Sequence, residues 1–234
     1  MDHHLLHHRM TMRRLHLLIA PFALLHENES PAQNLVPNAN FEEMDMPCEF
    51  GLSYNKLADW FVVDCAFQPR YFNACDNDGG VLYGVPHNAW GEQEAFSGVA
   101  YGGAFTYIWG WNNGSGSYPS VPLTQPLAAG TEYCLSLRAS LGGKSTYRSQ
   151  SLSALLTVET PNACANNDVL NWPGQAQLVF DLAGVDTTNW TLLNGRFTAA
   201  GGEQFLTIGN FNSGATIDTV RIPGATHPIR FAGY

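Results

Sequence analysis

The chain has 234 residues, a net charge of −9 and only 13% charged residues, against 45% hydrophobic. That much apolar side chain builds a core and excludes disorder, and the negative charge argues against nucleic acid or an anionic membrane surface as partner. With 23 Gly and 13 Pro the chain favours turns over long helices, and no run of about 18 apolar residues reads as a transmembrane segment.

Residues 1–32 stand apart and hold six of the eight His. Arg13 and Arg14 precede an apolar stretch from Leu15 to Leu25, and Ser30-Pro31-Ala32 supplies a small-residue cleavage site. That layout is a secretory signal from Met12 to Ala32, with residues 1–11 as an upstream extension. Its removal takes three residues of each sign, so the charge stays at −9. The expected location is secreted, periplasmic or cell-surface, where disulfides persist. All five Cys follow the signal, and an odd number leaves at least one thiol over. Cys134 lies in the alternating run Tyr133 to Leu137 and is expected as a buried free thiol. Cys48, Cys65 and Cys75 lie in loop-rich sequence, and a Cys48–Cys75 disulfide is expected. No CxxC or HxxxH spacing marks a zinc site.

The remaining chain reads as strands. β-rich or alternating runs occur at Trp60 to Val63, Val99 to Ile108, Tyr133 to Ser140, Ser153 to Thr157, Gln177 to Leu182, Trp190 to Phe197, Phe205 to Ile208 and Ile217 to Ile222. Gly-, Asn-, Asp- and Ala-rich separators divide them, at 76–80, 112–114, 128–130 and 200–202. Many short strands at such spacing predict an all-β antiparallel sandwich or barrel. The expected layout is one sandwich over 33–222 and a C-terminal tail over 223–234.

The segment Asn34-Leu35-Val36-Pro37-Asn38-Ala39-Asn40-Phe41-Glu42-Glu43 resembles the opening strand of galactose-binding-like jelly rolls. Further stretches are similar to the secreted jelly-roll domain common in Bacteroidetes surface proteins. They include Tyr71 to Cys75, Gly84 to Asn88, Gly98 to Gly103, Pro126 to Gly130, Asn189-Trp190-Thr191 and Phe197 to Glu203 running into Leu206 to Phe211. The resemblance covers about Asn34 to Ile222 and implies a carbohydrate-binding-module-like jelly roll. The closing run Ala215 to Ile222 departs from the family pattern by keeping one Asp of a usual pair. The resemblance also implies a structural calcium held by Glu42 and Asp218, with Asn40 or Glu43 as further ligands. Carboxylates and carbonyls from neighbouring strands suit the 6–8 oxygens calcium takes. The competing reading has Glu42 and Asp218 facing solvent or pairing with Arg221. By the same resemblance Trp60 and Trp190 occupy core positions.

A second candidate site is aromatic. Tyr107, Trp109 and Trp111 are spaced by two, which on a strand places them on one face. Asn112, Asn113 and Tyr118 follow, and rings with nearby amides suit sugar C–H faces and hydroxyls. The competing reading packs that face into the sandwich. No G-x-S-x-G occurs and no catalytic residue stands out; Glu92 with Glu94 is the nearest carboxylate pair. Three functions follow: a non-catalytic binding module, most plainly for carbohydrate; a structural or adhesive surface protein making protein contacts; and a polysaccharide hydrolase or lyase.

Overall fold

The computed structural model describes residues 33–47, 54–63, 66–76, 82–110, 116–162, 174–212, 216–227, 229 and 231–234. The signal expected over 1–32 lies outside them. Among the described residues, fifteen strands and one 3-10 turn (Tyr54–Lys56) make up the regular structure. The strands are β1 Phe61–Val62, β2 Arg70–Asn73, β3 His87–Asn88, β4 Gly91–Glu92, β5 Ala100–Gly103, β6 Phe105–Ile108, β7 Pro119–Pro122, β8 Glu132–Ala139, β9 Tyr147–Ser149, β10 Ser151–Thr157, β11 Leu178–Asp181, β12 Thr191–Thr198, β13 Phe205–Gly209, β14 Thr219–Arg221 and β15 Phe231–Gly233. Every pairing among the described strands is antiparallel. The all-β, sandwich-like expectation therefore holds, and no described helix is long and apolar enough to cross a membrane.

The largest sheet runs β1-β7-β13-β10-β11. β10 lies inside it and is buried along five consecutive residues, because both its faces are covered. Leu152, Ala154 and Leu156 enter the main core, while Leu155 turns to a smaller cluster with Val63, Tyr118 and Phe211. A strand covered on both faces loses polar alternation. The β8–β12 ribbon keeps it: Tyr133, Leu135 and Leu137 pack inward, and Glu132, Cys134, Ser136 and Arg138 are exposed. Leu193 and Phe197 join the same core from β12. Gly195 lets Leu178 pack against its bare backbone: a Cβ there would stand 2.7 Å from Leu178 Cδ2 and push that side chain aside. β7 begins and ends with proline yet lies between β1 and β13. Its ends tolerate the missing N–H, and Ser120 between them bonds the Leu206 carbonyl and Thr207 hydroxyl.

A separate aromatic core holds the other end: Phe72, Trp90, Phe105, Ile108 and Phe231. Here β15 pairs with β6, and the Thr146 N–H beside β9 donates to the Phe231 carbonyl at 2.9 Å. The tail expected over 223–234 is thus corrected. Phe231, Ala232 and Gly233 are a buried strand, and Tyr234 exchanges both backbone hydrogen bonds with Ala104.

The opening segment is also corrected: residues 36–41 form a turn rather than a strand. Asn38 causes it, at φ 43° with its side-chain amide donating to the Glu43 and Ala58 carbonyls at 2.9 Å each. Its own carbonyl accepts the Trp60 indole N–H at 3.0 Å. Phe41, at φ 63°, sits 4.9 Å from the Trp60 ring. Trp60 is core, as expected.

Candidate functional site

The expected aromatic strip does not form a single face. β6 ends at Ile108, and Trp109 and Gly110 enter a turn in which Gly110 has φ 81°. Two-residue spacing places side chains together only while the strand continues. Tyr107 is half-buried, its ring 5.0 Å from that of Tyr147, whereas Trp109 is 56% exposed. Tyr118 is corrected from ligand contact to core: it is fully buried, stacked on Phe211 at 5.7 Å. Trp111, Asn112 and Asn113 lie outside the described residues.

The calcium candidates are placed as follows. Glu42 Oε1 accepts the backbone N–H groups of Val99 at 2.9 Å and Ala100 at 3.1 Å, tying the opening segment to β5. Asp218 is exposed just before β14, and its carbonyl accepts the Gln150 N–H. Among the described residues no three His, Cys, Asp or Glu side chains gather as a metal-holding group. Cys75 is disulfide-bonded, while Cys48, its expected partner, lies outside the described residues. Cys134 is free, as expected, but exposed rather than buried. Tyr133 and Leu135 take the inner face, so the residue between them must point out.

Long-range packing builds a cleft that spacing did not reveal. Its floor is aromatic and glycine-rich, with Phe72 and Trp90 beside Gly103, Gly142 and Gly143. Its rim carries Glu92, Gln93, Tyr101, Ser140 and Trp190. The hairpin of β3 and β4 presents the polar side. Asn88 donates to the Tyr101 hydroxyl at 2.7 Å and accepts the Trp90 N–H at 2.8 Å. The Ser140 hydroxyl donates to Gln93 Oε1 at 2.8 Å. Burial pushes the Tyr101 phenol up to about 12; the Asn88 hydrogen bond opposes this and the charge of Glu94 adds to it. The phenol is therefore a neutral hydroxyl at ordinary pH, not a base.

Trp190, expected in the core, is half-buried and bounds this cleft. The turn before it is held by Asp186, whose carboxylate accepts the N–H groups of Asn189 at 2.7 Å and Thr188 at 2.8 Å. Those bonds, Asn189 foremost, keep the Asp186 carboxyl below its usual range. The indole N–H donates to the Glu94 carbonyl at 2.8 Å, and the ring meets Tyr101 edge-on at 5.4 Å. Arg138 lies next to it, with Nη1 3.5 Å from the Trp190 carbonyl and its guanidinium 4.0 Å above the Phe96 ring.

The cavity beneath this rim is about 20 Å³, room for a water molecule rather than a sugar ring. A larger ligand must lie across the mouth, against Tyr101 and Trp190. Glu92, half of the carboxylate pair singled out above, is exposed and faces His87 at 3.7 Å. Comparison of the chain with protein-family models, with curated proteins and with solved structures finds no match in any of the three.

Proposed function

We propose that this domain is a secreted, non-catalytic carbohydrate-binding module of the galactose-binding-like jelly-roll type, and that it binds sugar across the mouth of the Tyr101–Trp190 cleft. The observation that carries the reading is the state of Trp190. Its indole N–H is satisfied by the Glu94 carbonyl, and its half-buried ring is held edge-on beside Tyr101. A ring so placed offers an ordered apolar platform, and Gln93 and Glu92 supply the sparse polar groups that fix hydroxyls. Little ordering entropy is lost on binding to such a surface.

The test is a panel of neutral and acidic oligosaccharides, read by tryptophan fluorescence and calorimetry. Trp190→Ala is expected to lower affinity at least tenfold, a loss of about 1.4 kcal/mol or more. Trp109→Ala, on the exposed turn after β6, provides the comparison. Loss in Trp109→Ala with none in Trp190→Ala moves the site to that turn. A folded protein that binds no glycan transfers the assignment to a surface protein making protein contacts.

A further inference from the structure

We propose that Arg138 makes the cleft selective for a carboxylate-bearing sugar, a uronic acid residue. This rests on the carbohydrate reading above and names its substrate class.

The inference begins with what Arg138 does not do. A guanidinium has five N–H donors in a planar fork. Among the described residues only one of them reaches a protein acceptor, the Trp190 carbonyl, and at 3.5 Å that contact is long. Among the described residues the ion pairs are His87–Glu92 and Arg196–Glu132, and neither involves Arg138. On the same ribbon Arg196 meets Glu132 at 3.0 Å, so carboxylates are within reach of β8–β12 cations, yet among the described residues none pairs with Arg138.

The second observation is its posture. The guanidinium lies 4.0 Å over Phe96, which is 55% exposed, and Arg138 faces Leu192 across the ribbon, 49% exposed. Stacking fixes the plane of the fork and leaves its edges available, which suits bidentate bonding to a planar carboxylate. Arg138 in turn reaches the Trp190 carbonyl, so this stacked pair stands beside the residue that bounds the cleft.

The third observation is the charge around it. Lys144 donates to the Asn88 carbonyl at 3.0 Å, and its ammonium adds a second positive charge to the cleft hairpin. Glu92 faces His87, and Glu94 acts on the buried Tyr101 phenol. The two carboxylates are therefore borne by the 92–94 side, and the unpaired guanidinium by β8. A uronic acid seated with its carboxylate at Arg138 and its hydroxyls towards Gln93 and Glu92 meets both signs correctly.

The experiment compares oligogalacturonate with its methyl ester, which has the same ring and a masked charge. Each is titrated by calorimetry into wild type, Arg138→Lys, Arg138→Gln and Trp190→Ala, at low and high salt. The expected result is at least tenfold tighter binding of the acid by wild type. Arg138→Gln should erase that preference, and Arg138→Lys should lose most of it, since a point charge does not replace the fork. Ester affinity should stay within twofold in both variants. Trp190→Ala should weaken both ligands. Melting curves confirm that each variant is folded. Equal wild-type affinity for acid and ester overturns the proposal while leaving the carbohydrate reading standing. A preference that survives in Arg138→Gln overturns it too. Binding of neutral glycans but of neither galacturonate form removes uronic acid selectivity alone.

Discussion

Replacing Gly103 by alanine tests how the floor of the cleft is held. An ideal Cβ there would stand 2.7 Å from Trp90 Cζ3 and 3.0 Å from Phe72 Cε2. Carbon atoms settle at about 3.5–4.0 Å, so the indole must retreat by about 1 Å. Beyond the water-sized space of the cleft it has little room: Phe105 lies 4.6 Å away centroid to centroid, Phe231 5.9 Å, and Gly233 backs the same ring edge at 2.9 Å for its own ideal Cβ. Overpacking of this kind costs about 1–3 kcal/mol. For a domain of this size that is a fall in Tm of roughly 3–10 °C. Gly103 has no positive φ, so alanine suits its backbone and the collision is isolated. Trp90→Phe removes the ring atoms that collide. The two substitutions should therefore couple by about 1 kcal/mol or more, with Gly103→Ala nearly silent in the Trp90→Phe background. Thermal melting followed by near-ultraviolet circular dichroism reads the cycle. An unchanged Tm in Gly103→Ala, or strict additivity, refutes the account of a glycine-walled slot.

Other predictions follow from single residues. Glu203 is buried, and its two oxygens accept the N–H groups of Ala200 and Gly201 at 2.8 Å each. Burial alone would raise its carboxyl, but the backbone hydrogen bonds outweigh it and the pKa falls below 4.5. Its stabilisation is thus present above about pH 4.5 and lost as pH drops through the lowered folded value; Glu203→Gln should flatten the acid limb of a Tm-against-pH curve and cost about 2 kcal/mol at neutral pH. Phe231→Ala should cost about 3–5 kcal/mol by emptying the centre of the aromatic core, and a variant ending at residue 230 should fail to give a cooperative melt. Calcium at Glu42 and Asp218 is a proposal with a direct measurement. Saturating calcium against chelator should raise Tm by roughly 5–10 °C, and Asp218→Asn should abolish the rise; an unchanged Tm retires the site.

What was legible from the residues was the part governed by short-range pattern. Alternation located β8 and β12, and the apolar run at 153–157 located β10 within two residues. β7 was missed because its two prolines read as turn signals, though they occupy only its ends. β15 was missed because Phe231-Ala232-Gly233 has one large apolar residue and no period; its pairing partner supplies the order. The aromatic strip failed for a local reason, the turn at Trp109 and Gly110. The cleft was illegible for the opposite reason. It gathers residues from 72, 88–93, 101–103, 140–143, 190 and 234, which only the tertiary fold brings together.

The pairing of β6 with β15 also has a consequence in time. Thr106 bonds the carbonyl of Ala232 across 126 residues. At ribosomal rates of about 5–20 residues per second, Phe72, Trp90 and Phe105 wait roughly 6–25 s after Thr106 is made before the strand that covers them exists. Pairings that distant also close slowly. Until then the chain carries bare aromatic rings and unpaired strand edges, so its yield in a cell depends on whatever shields that half-built sheet while it waits.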